Sequence, residues 1–423
     1  MLIPSRDRLV RRARRFITGV HIVLALGLAI GTIRRMVMPG GIIDADFTVF
    51  RTAWWLVLHG RGHALYDASA QRTAQHLLMD GREFEGGLMA FLNPPHAALA
   101  GLPLGWVAHH AGGGVAFAIW ACVNALLLLR LDDLVRSLFG VSRGELRWTI
   151  TVALLAFYPV FYTVAIGQFS LLLAVCVFEL FRTLEGQRPR AAAAWLMILS
   201  IKPQLLPPLL LLLAVRGYWR TLGWTAVWGI GAAAICAALL GGSIWFDYAR
   251  NVHALEGFFA AGTPAYMMNL RGALTRVIGQ RVSPAGVYLV AIGAWIVALL
   301  VLTVVLVRRS AATGSDLRRE FALTLAVSLF FNPHLFPQDA VIWIVALSLY
   351  IAGLRARCEP WRLFSAFVFS WPIWFAVSRA LDLGTGAQRL YLTPALMVMI
   401  IAVATMTRRV KRDGEGASLA AGP

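Results

Sequence analysis

Apolar runs approaching the roughly 20 residues that cross a hydrocarbon slab as helix recur along this chain, separated by short arginine clusters. Such a chain folds in a bilayer, where each backbone polar group must be satisfied within a helix. Composition agrees: 59% of the 423 residues are hydrophobic, 14% are charged, and mean hydropathy is +0.70. The sequence therefore predicts an all-α polytopic membrane protein. The first apolar run follows RDRLVRRARR and reads as a start-transfer helix, not a cleaved signal.

The net charge of +18 comes from arginines placed between apolar runs, as expected of cytoplasmic loops beside anionic headgroups; nucleic acid is excluded as a partner. Cys122, Cys176, Cys236 and Cys358 are scattered, with neither metal nor disulfide spacing, and read as packing residues. No His/Cys/Glu metal motif, phosphate-cradling glycine loop or nucleophile elbow appears.

Positive charge sets the direction of each run. The basic residues 1–16 place the N-terminus in the cytoplasm, and helix 1 (about 17–38) leads out to a long external loop, 40–90. Within it, residues 50–59 suit an interface-parallel helix with tryptophans at headgroup level. Residues 91–108, interrupted by Pro94, Pro95 and Pro103, read as re-entrant or interfacial, because Arg130–Arg147 must then lie inside. Helices follow at about 111–130, 147–163 and 169–183. Residues 191–215 read as two half-crossings meeting at Lys202-Pro203-Gln204, which keeps RGYWR inside. Further helices lie at about 222–241, 285–307, 320–331, 339–354, 361–378 and 390–407, with a second external loop at 242–284. This makes roughly 10–12 transmembrane helices in one domain, 1–410, with cytoplasmic termini and a disordered tail, 411–423.

In this topology the unusual polar segments share the external side: Asp44 and Asp46, Asn93-Pro94-Pro95-His96, Gly167-Gln168, Lys202-Pro203-Gln204, and Asn332-Pro333-His334 through Gln338-Asp339. A carboxylate there can act as general base toward a hydroxyl. A lysine in an apolar run is costly unless it meets an anion, such as the phosphate of a lipid-linked donor, with His334 and Gln204 as hydrogen-bond donors. Duller readings stand beside these. Asp44 and Asp46 as loop acids, Lys202 paired with an acid, Gln168 capping a turn, His334 a satisfied interface histidine and Asp339 an N-cap are each compatible with the sequence. His96, His109 and His110 read as loop residues.

These motifs resemble glycosyltransferase family 87, within the C-type superfamily of polytopic enzymes that use polyprenyl-phosphate sugars. The resemblance runs from Asp46-Phe47 through LeuTyrAsp (65–67), AsnProProHis (93–96), GlyGlnPheSer (167–170), LysProGln (202–204) and ThrProAlaTyr (263–266) to AsnProHisLeuPheProGlnAsp (332–339). Asn93 stands where a tyrosine is commoner, and Pro337-Gln338 replaces a more polar pair. The resemblance implies inverting transfer of mannose, or in some members arabinofuranose, from a polyprenyl monophosphate sugar to an envelope glycolipid or glycan. The site would face outward from a bacterial inner membrane, with no cofactor or metal. Asp46 would be the base, with Asp44 beside it. Lys202 would contact donor phosphate, with Gln204, His334, Gln168, Asp339 and Asn93 binding substrate. Two alternatives of other classes are a carrier or flippase for lipid-linked sugar, which should show inverted repeats and midplane sites, and a non-catalytic membrane subunit.

Overall fold

The computed structural model describes residues 6–38, 45–84, 87–141, 145–254, 263–310 and 316–353. Among them the chain is helical, with one isolated bridge (Phe84–Gly87) and no strand. The helices are α1 (Arg6–Val37), α2 (Phe47–Leu58), α3 (Ala68–Leu78), α4 (Pro95–Ala100), α5 (Leu102–Ala111), α6 (Gly113–Leu138), α7 (Glu145–Leu155), α8 (Tyr158–Ile166) and α9 (Ser170–Glu185). They continue as α10 (Pro189–Leu199), α11 (Leu206–Val215), α12 (Trp219–Leu240), α13 (Ile244–His253), α14 (Leu270–Ile278), α15 (Pro284–Ser310), α16 (Leu317–Phe331) and α17 (Trp343–Gly353). The expected helices at 361–378 and 390–407, the tail and Cys358 lie outside the described residues.

Among the described residues four helices are long and apolar enough to cross a membrane: Arg14–Arg34 within α1, α6, α12 and α15. A fifth span would be α7 with α8, bent by 50° where Phe157 turns extended ahead of Pro159. Only 6% of the apolar windows of α1 and α12 is buried, so both present apolar surface outward. By contrast α9 and α17 are buried nearly all round and form the centre.

Side-chain pairs show which helix ends lie together. At one end Thr18 meets Thr149 (2.9 Å), Thr151 donates to Asp132 (2.9 Å), Arg130 pairs with Glu179 (3.0 Å) and Arg318 with Glu185 (2.9 Å). Arg216 pairs there with Glu320 (2.6 Å), and Arg319 donates to the Gly353 carbonyl (3.0 Å). We call this the basic end. At the other end Trp120 donates to Gly167 O (3.1 Å), Thr163 to Gln338 O (3.2 Å) and Asn269 to Asn332 O (2.6 Å). Helices α6, α7 with α8, α9, α16 and α17 therefore each run from one end to the other.

The hairpin α10–α11 does not. Its start follows α9 at the basic end, and its last residue, Arg216, returns there to Glu320. At about 1.5 Å per residue each arm is roughly 16 Å long, about half a hydrocarbon slab. The turn lies at Lys202–Leu205, where Lys202, ahead of Pro203, leaves the helical conformation. This is the pair of half-crossings expected for 191–215. Likewise α4 and α5 stay at the far end and pack on α2, as expected for 91–108.

That packing departs from the sequence reading in one respect. Trp54 is 1% exposed, not at headgroup level. It fills the groove at Gly101 and Gly105, where a Cβ would come within 2.1 and 2.5 Å of its side chain. His96, His109 and His110, expected in loops, lie on α4 and α5, with His96 Nε2 2.9 Å from Ser200 Oγ.

Candidate functional site

Asp46 opens α2 with its side chain partly exposed. Gln168 Nε2 donates to its Oδ2 at 2.6 Å. The turn that delivers Gln168 is held on several sides. Gly167 has φ +74°, a conformation that glycine tolerates best, and a Cβ there would lie 2.7 Å from Phe47 Cβ. Its carbonyl accepts from Trp120, and Gln168 N donates to Thr163 O at 3.0 Å. Gln168 Oε1 is buried with no hydrogen-bond partner among the described residues. Asp44 lies outside them.

Two residues past Gln168, Ser170 Oγ donates to Asp339 Oδ1 at 2.7 Å. The same oxygen accepts a short, charge-assisted bond from Lys202 Nζ. Both members are buried, Lys202 at 9% exposure and Asp339 at 2%. Asp339 is not the N-cap of its helix: it lies inside the two-turn 3-10 segment Pro337–Ile342, and its other oxygen accepts from Phe336 N at 3.4 Å. The reading of Lys202 as paired with an acid thus holds, and one of the ammonium's three donors is occupied. Gln204, half-buried, is the middle residue of the turn after Lys202. Asn93 Nδ2 donates to Ile201 O (3.1 Å), while its own carbonyl accepts from Tyr66 OH (2.7 Å).

His334 follows an Asx turn in which its N–H donates to Asn332 Oδ1 (2.8 Å). Arg271 Nη1 lies 3.4 Å from His334 Nδ1, and its guanidinium sits 4.7 Å over the Tyr288 ring. A guanidinium only donates, so Nδ1 accepts and the imidazole proton is on Nε2. Burial, and secondarily the Arg271 charge, push this histidine down to about 3, so it is neutral at pH 7.

The structure thus brings together at one end the segments around Asp46, Asn93, Gln168, Lys202 and Asp339. His334 is linked to them through its own loop. Sequence reasoning missed Arg271, which is 1% exposed, and Tyr288, since a lone arginine in a predicted loop carries no sign of burial. It also passed over Ser170, although that residue lies within the quoted GlyGlnPheSer motif. Among the described residues no group of three or more His, Cys, Asp or Glu could hold a metal ion.

The fold defines a polytopic all-α membrane protein, with a buried ion pair and a carboxylate gathered where the helices end. The chain belongs to glycosyltransferase family 87, whose sequence model matches residues 91–337, more than half its length. Asn93, Gln168, Lys202, Gln204 and His334 lie inside the matched stretch; Asp46 and Asp339 lie outside it. No curated protein and no solved structure matches the chain.

Proposed function

We propose that the enzyme transfers a hexose, mannose before arabinofuranose, from a polyprenyl monophosphate sugar to a hydroxyl of an envelope glycolipid or glycan, with inversion. Asp46 takes the proton of the acceptor hydroxyl, whose oxygen attacks the anomeric carbon. The bond from that carbon to the phosphate oxygen breaks, and polyprenyl phosphate leaves with the electron pair. The observation that carries this reading is the Gln168–Asp46 hydrogen bond, which orients the carboxylate within the helix-end cluster that also contains Lys202 and Asp339.

Toward the leaving phosphate the chain offers the remaining donors of Lys202, Gln204 beside it, and the Nε2–H of His334, with Asn93 and Asp339 holding the Lys202 turn in place. The arginine-rich N-terminus and loops at the basic end support a cytoplasmic position for that end. The site then faces outward from a bacterial inner membrane, where lipid-linked sugar and acceptor meet without a cofactor.

The test is purified protein in nanodiscs with radiolabelled polyprenyl-phosphate-mannose, beside Asp46→Asn. Sugar transfer or release that depends on Asp46 supports the reading. Donor binding without turnover, identical in both proteins, would make the chain a carrier. A donor that is ignored in favour of the arabinofuranosyl analogue would reassign the sugar.

A further inference from the structure

At the basic end, opposite the site, Arg188, Pro189, Arg190, Ala191, Arg220 and Trp224 line an open cleft of about 590 Å³. It lies where the first turn of α10 packs beside the first turn of α12. All three arginines are exposed, and none has a carboxylate partner among the described residues. Their neighbours on this end differ: Arg130, Arg136, Arg216 and Arg318 are each paired with Asp or Glu. Arg190 stacks its guanidinium 4.6 Å over the Trp224 ring, which holds it at the cleft wall. Positive charge is thus left uncompensated here.

The cleft continues into apolar surface. Val227, Ile230, Ile235 and Leu239 of α12 are each more than half exposed, along a helix long and apolar enough to cross a membrane. A ligand that satisfies both features carries an anionic phosphate head and acyl chains. We propose that this cleft binds the headgroup of an anionic phospholipid, with its chains lying along α12. The phosphodiester accepts from Arg188 and Arg220, while Trp224 sits at the level where an indole prefers the interface. A small phosphate ion would leave the apolar strip of α12 unused.

Each basic residue near a membrane surface contributes about 1 kcal/mol, or roughly fivefold in affinity. The Arg188→Gln, Arg190→Gln, Arg220→Gln variant of the full chain should therefore hold phosphatidylglycerol at least about tenfold more weakly. Native mass spectrometry from neutral detergent, with added phosphatidylglycerol or phosphatidylcholine, reads this directly. The expected result is retained phosphatidylglycerol but not phosphatidylcholine on the wild type, and its loss from the triple variant. Arg11→Gln, Arg12→Gln, which removes charge elsewhere on the basic N-terminal helix, should retain the lipid. Equal retention of both lipids, or by the triple variant, would overturn the assignment. So would displacement of dihexanoyl-phosphatidylglycerol by an equal concentration of inorganic phosphate, which would mark a small-anion site. Because the cleft is far from Asp46, sugar transfer measured in detergent should be the same in the triple variant.

Discussion

Gln168 Nε2 donates to Asp46 Oδ2 at 2.6 Å, joining residues 122 positions apart in sequence. The bond fixes the orientation of the carboxylate. A base must be positioned as well as present, and the turn behind Gln168 supplies rigidity: Gly167 jammed against Phe47, its carbonyl tied to Trp120. Asp46 immediately precedes Phe47, so the same packing contact locates both partners.

Asp46→Asn should keep the fold, being partly exposed and nearly isosteric, yet lose at least about two orders of magnitude in transfer rate, the usual size of a general-base contribution. A transfer assay in nanodiscs checks it; a wild-type rate in the variant would remove Asp46 from the mechanism.

Gln168→Ala should lower kcat by about ten- to a hundredfold with little change in KM for donor if Asp46 is the base, because the carboxylate then loses orientation and not substrate contact. Gln168→Glu should in addition move the acid limb of the pH–rate profile upward, since a second carboxylate beside Asp46 favours its protonated form. An unmoved limb would show that the two side chains do not meet in the working enzyme.

Gly167→Ala combines a left-handed φ of +74° with a Cβ 2.7 Å from Phe47 Cβ. It should destabilise the protein by about 1–3 kcal/mol and lower kcat alongside, because displacement of the turn moves Gln168. Thermal unfolding in detergent and the transfer assay read the two effects.

Lys202→Ala leaves Asp339 buried without its cation and should cost about 3–5 kcal/mol of stability. The Lys202→Met, Asp339→Leu double variant should regain most of that loss while donor binding stays weak. Recovery of donor affinity along with stability would show the lysine to be purely structural.

His334 predicts a pH effect of definite sign. Its folded pKa, about 3, is below the unfolded value near 6.5, so between these the unfolded chain binds more protons. Its stabilising contribution is present above about pH 6.5 and is lost as pH falls toward 3, by up to about 1.4 kcal/mol per pH unit. Melting temperature should drop less steeply from pH 7 to 5 in His334→Gln than in the wild type.

Much of this architecture was legible because bilayer physics leaves few options. Arginine spacing marked the basic end and favoured a turn back at Lys202-Pro203-Gln204 over a single crossing of 191–215, and Arg216 does return to Glu320 at the basic end. The prolines at 94, 95 and 103 marked an element that does not cross. Burial was not legible in the same way. Trp54 reads as an interfacial tryptophan by composition, and only the facing Gly101 and Gly105 make it a core residue.

The sequence by itself determined that the chain is a bundle of membrane helices with its polar motifs at one end, because hydropathy and charge act locally along the chain. Tertiary structure alone decided the partnerships: Asp46 with Gln168, Lys202 with Asp339 and Ser170, and Arg271 with His334. Each joins helices or loops distant in sequence, and a side chain's partner depends on which helix faces packing brings within hydrogen-bond reach.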